Sequence, residues 1–115
     1  MKLLTKAIEA RLAKAPLRSQ EKNPRPEVIV KFFNPTGAGS WYVTEGQKLE
    51  DGDWEFFGLA DILEPELGYF RLSELQGFRG RFGLGIERDL HFESKFLDTS
   101  QSPPDVCDTP FGAQN

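Results

Sequence analysis

One segment of the sequence places acidic and basic side chains in alternation. Asp89, His91 and Glu93 are separated by single residues, Leu90 and Phe92. Because successive side chains of a β-strand point to opposite faces, a strand here would carry the three polar groups on one face, about 7 Å apart. Two carboxylates and an imidazole in that order could bind a divalent metal, or pair a general base with its orienting acid. The pattern allows a metal-dependent or acid–base enzyme.

A solvent-facing strand with ordinary ion pairs gives the same pattern. His91 is the only histidine of the chain, so a zinc site would need carboxylates for its other ligands, which is less usual. The single cysteine, Cys107, excludes both an intramolecular disulfide and a cysteine metal cluster. We therefore predict no metal site and no cofactor, and favour a non-catalytic protein over an enzyme.

A second candidate site is acidic. Residues 45–66 contain eight Asp/Glu against one basic residue, Lys48. An exposed surface of this kind repels nucleic acid and attracts a basic partner. Solvated loops that keep a small aromatic-rich protein soluble have the same composition. The residues that we predict to contact a protein partner are Glu50, Asp51, Asp53 and Glu55.

Basic residues supply an alternative, nucleic-acid binding. The net charge is −4, but residues 1–31 hold eight Lys/Arg against three Asp/Glu, and residues 32–115 hold six against fifteen. Nucleic-acid binding requires the basic side chains to form one positive face. The glycine-rich segment 77–85 contributes two arginines, but it matches neither the P-loop nor the dinucleotide-binding pattern. The candidate residues are Lys14, Arg18, Lys22, Arg25, Arg79 and Arg81.

The elements that would position these groups are mainly strands. Residues 28–33, 40–45 and 54–62 are rich in aromatic and β-branched side chains, and each is followed by a turn-rich segment. Residues 69–72 and 86–92 are further strand candidates. Apolar residues at helical spacing from Leu3 to Ala15 predict an amphipathic helix that ends at Pro16. The prediction is an α+β domain, an antiparallel sheet of four or five strands covered on one face by the N-terminal helix.

At 115 residues the chain has the length of one domain. We expect residues 1–97 to form it. Residues 98–115 contain three prolines and few apolar side chains, which is typical of a disordered tail. The N-terminus is charged throughout and no apolar run is long enough to span a bilayer, so we expect a cytoplasmic protein with no membrane contact.

The chain also carries motifs that resemble a known family. In order they are KFFNP (31–35), GSWYVTE (39–45), FGL (57–59), PELGYF with LSEL (65–75) and IERDLHF (86–92). This series, over residues 3–93, resembles the family catalogued as domain of unknown function 2958. The resemblance implies a small bacterial protein of the kind often associated with plasmids and integrated mobile elements. It carries over no catalytic residue, and it favours an accessory or regulatory role, such as inhibition of a host factor.

Overall fold

The computed structural model describes residues 2–111. The helices are α1 (Lys6–Ala13) and α2 (Leu72–Gly77), and a short 3-10 turn spans Arg81–Gly83. The strands are β1 (Glu27–Val28), β2 (Val30–Phe33), β3 (Ser40–Lys48), β4 (Trp54–Asp61), β5 (Pro65–Arg71), β6 (Glu87–Arg88), β7 (Lys95–Asp98) and β8 (Asp105–Cys107). None of the helices in this part of the chain is both long and apolar enough to cross a membrane.

The larger of two sheets has five antiparallel strands in the order β5-β4-β3-β2-β6. Strands β2 to β5 are joined in sequence order, so they form a meander. The N-terminal helix packs against β3 of this sheet. The predicted α+β class, with an antiparallel sheet covered by an N-terminal helix, is confirmed.

One face of the five-stranded sheet, here called the core face, carries the principal hydrophobic core. Phe32 and Phe56 are fully buried there. The ring of Phe56 lies 5.9 Å from that of Phe32 and 5.8 Å from that of Phe70. Aromatic rings at these separations gain about 0.5–1.5 kcal/mol per pair beyond their buried area. Phenylalanines of β2, β4 and β5 therefore pack together across the core face.

Helix α1 is shorter than the apolar spacing from Leu3 to Ala15 predicted. It begins after Thr5, whose hydroxyl accepts a hydrogen bond from the backbone N–H of Ile8 at 3.1 Å and so caps the helix. Leu3 itself is buried in the core ahead of the first turn. In the last turn of the helix, Leu12 is fully buried and approaches Gly46 of β3. A Cβ added to Gly46 would lie 3.0 Å from the Leu12 side chain.

Strand β3 contains a β-bulge at Thr44. Val43 is paired with Gly58 of β4, whereas Glu45 is paired with Phe57, so Thr44 has no partner of its own. The Thr44 hydroxyl instead donates to the backbone carbonyl of Phe57 at 3.2 Å. Because the extra residue shifts the alternation of side chains, Glu45 points away from the core face. The bulge thus places this carboxylate beside Phe57 on the second face of the sheet.

The second face is partly covered by the smaller sheet, in which β1, β7 and β8 pair antiparallel in the order β1-β7-β8. Val28, Leu59 and Leu97 form a second hydrophobic cluster between the two sheets. Residues 98–111, which the composition assigned to a tail, here include the end of β7 and all of β8. A short strand such as Asp105–Cys107 lacks the periodicity that would mark it in the sequence.

The predicted strand over residues 86–92 is wrong beyond its first half. Strand β6 contains only Glu87 and Arg88, and the chain then turns. The turn forms because the Asp89 carboxylate accepts the backbone N–H of His91 at 2.9 Å, which is the local hydrogen bond that aspartate offers in place of a strand ladder. Leu90, which a strand would have placed on the face opposite the three polar groups, is exposed.

Candidate functional site

The four acidic residues predicted to contact a partner do not form one surface. Asp53 is half-buried, and its carboxylate accepts hydrogen bonds from the Ser73 hydroxyl at 2.6 Å and the backbone N–H of Ser73 at 3.0 Å. The backbone N–H of Trp54 donates to it at 2.8 Å. These hydrogen bonds, that of the Ser73 hydroxyl first, hold the pKa of Asp53 below its usual value. Asp53 therefore has a structural role at the start of α2.

The other three acidic residues are divided between two places. Glu55 lies on the second face of β4, directly opposite Arg71 of β5. Glu50 and Asp51 are exposed in the loop that joins β3 to β4. The Asp51 carboxylate also accepts the backbone N–H of Asp53 at 2.9 Å, which shapes that loop. The predicted acidic site is thus reduced to a loop tip of two residues.

The connection between β4 and β5 carries a different acidic group, here called the acidic hairpin, residues 61–66. At its tip Leu63 is 94% exposed, and Ile62 beside it is half exposed. The hairpin's exposed carboxylates are those of Asp61, Glu64 and Glu66. Within residues 2–111, none of these three carboxylates is part of an ion pair. The hairpin therefore displays apolar side chains in an uncompensated negative field.

The acidic hairpin and the Glu50 loop lie at opposite ends of β4. That strand runs from Trp54 to Asp61, so about 25 Å separates the two acidic places at the usual rise of a strand. At physiological ionic strength the Debye length is about 8 Å. The two places therefore act as separate electrostatic features, and one small partner surface would contact one of them.

Of the basic residues proposed for nucleic acid, Arg25 is internal. Its guanidinium pairs with Asp98 at 2.9 Å, and the side chains of the pair are 12% and 5% exposed. The same guanidinium donates to the carbonyl of Thr109 at 3.2 Å. Arg25 thus connects the segment before β1 to residues that follow β7, and it is not available to bind phosphate.

The remaining basic residues belong to two separate regions. Lys14 lies near Gly46 at the far end of β3, because the Ala15 carbonyl accepts the Gly46 N–H at 3.0 Å. The loop with Arg79 and Arg81 approaches Thr36, before the start of β3, since a Cβ on Gly80 would lie 2.6 Å from Thr36 Oγ1. Six residues of strand, about 20 Å, separate the regions. The structure does not bring the six side chains together into one face.

Asp89, His91 and Glu93 do line a common shallow cleft of about 240 Å³, together with Lys31 and Tyr42. Lys31 pairs with Asp89 at 3.4 Å and lies 5.4 Å above the centre of the Tyr42 ring. The second oxygen of Asp89 accepts the backbone N–H of His91. The charge of the Asp89 carboxylate is therefore already balanced by Lys31.

The imidazole ring of His91 is the candidate base in this cleft. Within the described part of the chain, no hydrogen bond joins the imidazole ring to a carboxylate, so no group orients the ring as a base. Nor do three His, Cys, Asp or Glu side chains of residues 2–111 form a group that could hold a metal ion. The structure thus brings the three predicted residues into one cleft, where Asp89 is paired with Lys31.

A further cleft, which the sequence did not predict, lies on the second face of the main sheet. Its floor is a row of three side chains from neighbouring strands: Glu45 of β3, Phe57 of β4 and Tyr69 of β5, which are paired in register. The rings of Phe57 and Tyr69 meet edge to face with their centres 4.9 Å apart. Residues 18–26 form the opposite wall, and the cleft has a volume of about 180 Å³. We call it the Glu45 cleft.

The wall of the Glu45 cleft is fixed by the carboxylate itself. Glu45 accepts backbone N–H groups of Arg18 at 2.7 Å and Gln20 at 2.8 Å, one on each oxygen. Arg18 has a positive φ of 72°, and a residue of that conformation in a turn makes successive N–H groups converge on an anion. The alternation in residues 40–45 could not reveal this role, because the Thr44 bulge decides which face Glu45 occupies.

Comparison with known families gives one match. The family model described as "Protein of unknown function (DUF2958)" matches residues 3–100. The chain belongs to this family. The match confirms the resemblance seen in the motifs. No curated protein matches the DUF2958 chain, and no solved structure does either.

Proposed function

We propose that this DUF2958 protein is a non-catalytic binding protein, an accessory or regulatory factor of mobile elements that contacts a basic protein partner. The acidic hairpin, residues 61–66, is the surface that makes the contact. The observation that carries the proposal is the exposed Leu63 with three carboxylates around it that have no ion-pair partner within residues 2–111. The mobile-element role rests on the family resemblance.

The two kinds of side chain contribute differently to such a contact. Burying one exposed leucine contributes about 1.5–3 kcal/mol, so Leu63 supplies affinity. Carboxylates at the rim of an interface mainly raise the association rate and select the partner by charge. The acidic hairpin therefore fits a partner with an apolar pocket that is flanked by lysine or arginine. The proposed contact surface is acidic, like the one proposed from the sequence, but it consists of residues 61–66 and not of residues 50–55.

The test is affinity co-purification from the native host with two matched charge reversals. The variant Glu64→Lys/Glu66→Lys inverts the hairpin, and the control Glu50→Lys/Asp51→Lys inverts the loop at the other end of β4 by the same net charge. We expect the hairpin variant to lose a partner that the wild type and the control retain. We also expect the wild-type interaction to weaken as salt is raised. A partner that both variants retain, or that only the control loses, contradicts the proposal.

A further inference from the structure

We propose that the Glu45 cleft binds a cationic side chain, the guanidinium or ammonium group of arginine or lysine, from a partner polypeptide. The inference rests on the proposed function, since it names the chemistry of the partner. Three observations carry it: a buried carboxylate without a countercharge among the described residues, aromatic rings beside it on the floor of the cleft, and a position next to the acidic hairpin.

The carboxylate of Glu45 is the first observation. The residue is 3% exposed, yet no ion pair within residues 2–111 includes it. Its hydrogen-bond donors are the neutral backbone N–H groups of Arg18 and Gln20. Buried charges in proteins are ordinarily paired with an opposite charge or a metal ion. A cation from outside the chain, placed in the adjoining cleft, would complete the arrangement.

The aromatic rings on the floor of the cleft are the second observation. Tyr69 is 56% exposed although its ring packs against Phe57, so one part of the ring faces the cleft and solvent. The face of an aromatic ring attracts a cation, and the attraction is strongest for a guanidinium or ammonium group that leaves water. Carboxylate and ring lie in one row across three strands, about 10 Å apart at the usual strand spacing, and both line the cleft that a single arginine or lysine side chain would enter.

The size and rim of the cleft restrict the ligand. A volume of about 180 Å³ is below the range of about 300–1,000 Å³ typical of drug-sized ligands, and suits one side chain. The rim contains one cation, Arg18, but its guanidinium pairs with Glu21 at 3.6 Å. The charge that remains beside the cleft is that of Glu45, and it is negative.

Continuity with the acidic hairpin is the third observation. Leu67, which lines the cleft, directly follows Glu66 of the hairpin on β5. About 13 Å of chain separates Leu67 from Leu63 at the usual rise of an extended strand. A partner segment that contacts the hairpin can therefore place a neighbouring basic side chain in the cleft. Both sites attract positive charge, which selects a basic polypeptide over a nucleic acid.

The test uses a pair of probes that differ in charge alone. N-acetyl-arginine methylamide is titrated into the full chain and followed by amide chemical shifts, beside the uncharged isostere N-acetyl-citrulline methylamide. We expect saturable shifts at the amides of Arg18, Gln20 and Thr44 with the arginine probe, and binding at least about tenfold weaker with citrulline. Equal binding of the two probes, or no saturation within the solubility of the arginine probe, overturns the inference.

Two variants localise the binding. Tyr69→Ala removes the exposed ring, and we expect it to weaken binding of the arginine probe about tenfold. Tyr69→Phe retains the ring and should retain the affinity. Retained affinity in Tyr69→Ala counts against the cleft. Glu45→Gln should abolish charge selectivity, and Tyr69→Ala decides the question if Glu45→Gln does not fold.

The probe experiment is independent of the partner experiment. If the Glu64→Lys/Glu66→Lys variant binds the arginine probe and also retains the partner, the proposed function is wrong and the proposal for the Glu45 cleft stands. If that variant loses the partner and no probe binding is seen, the proposal for the cleft is wrong and the proposed function stands.

Discussion

Asp98 is a single residue whose protonation is coupled to folding. The Ser100 hydroxyl is the main donor that holds the pKa of the Asp98 carboxyl below its usual value of 3.8, and Gln101 and Arg25 add to the effect. A carboxyl whose pKa is lower in the folded chain stabilises the fold above the usual pKa. That contribution is lost as the pH falls through the folded-state value.

We therefore expect Asp98→Asn to be less stable than the wild type at neutral pH and to lose less stability on acidification. The difference between the two free energies of unfolding should shrink below about pH 4. Urea unfolding over a pH series measures it, and Asp61→Asn controls for the change in net charge. Parallel curves for Asp98→Asn and the wild type would show that Asp98 does not titrate with folding.

The burial of Glu45 is a residue-scale feature that the sequence could not reveal. The aromatic and β-branched side chains of residues 40–45 predict a strand, and β3 confirms it. The sequence gives no sign of the bulge at Thr44, because a bulge is decided by the partner strand and not by local preference. Without the inserted residue, the Glu45 carboxylate would point to the core face. With it, the carboxylate lies on the second face of the sheet and lines the cleft.

At the scale of elements, α2 depends on a residue outside it. Asp53, twenty positions earlier, accepts both the backbone N–H and the hydroxyl of Ser73 in the helix's first turn. A side chain that satisfies a first-turn N–H contributes about 1 kcal/mol, as a helix cap does. We expect Asp53→Ala to lower the free energy of unfolding by about 1 kcal/mol in urea titrations.

The matched control for α2 is Glu50→Ala, in the same loop. Glu50 is exposed and has no hydrogen bond within residues 2–111, so its removal should change stability by less than about 0.5 kcal/mol. If Asp53→Ala proves as mild as Glu50→Ala but loses a partner, Asp53 would belong to a binding surface after all.

Elements differ in how far the sequence could predict them. The aromatic residues from Trp54 onward predict a strand, and β4 ends at Asp61, one residue before the predicted end. The strand predicted at residues 86–92 has clear alternation, but Asp89 forms a turn there. The local hydrogen bond of one side chain outweighs the preference of the pattern for a strand. Asp89, His91 and Glu93 therefore do not lie on one strand face.

At the scale of the whole molecule, residues 98–111 contribute to the fold. Leu97 of β7 is fully buried between the two sheets, and the carboxylate of Asp98 pairs with Arg25. Ending the chain at Leu97 would remove β8 and leave the Arg25 guanidinium without this partner. We expect the shortened chain to have a lower Tm and to expose the cluster of Val28, Leu59 and Leu97.

Thermal unfolding followed by circular dichroism measures this effect. For a domain of this size each 1 kcal/mol lost lowers the Tm by roughly 4–8 °C. Dye binding to exposed apolar surface provides a second readout. A shortened chain with the Tm of the full chain would support the tail that the composition predicted from residue 98.

The overall architecture was predictable because many residues agree on it, whereas the binding surfaces depend on few. Ten phenylalanines and alternating strands leave little choice beyond a layered α+β domain. The exposure of Leu63 depends on where one hairpin turns, and the acidic stretch could not show which carboxylates face inward. The eight residues of β4 lie between Asp53 and Leu63. Asp53 forms hydrogen bonds within the fold, whereas Leu63 is exposed.

Site-specific photo-crosslinking in the native host tests the central claim most directly. A photoreactive amino acid replaces Leu63 in one chain and Phe82 in another; Phe82 is 88% exposed in the arginine-containing loop and provides a control of equal accessibility. We expect a discrete protein adduct from position 63 and none from position 82. An adduct from position 82 without one from position 63 would contradict it, and would assign partner binding to the basic loop.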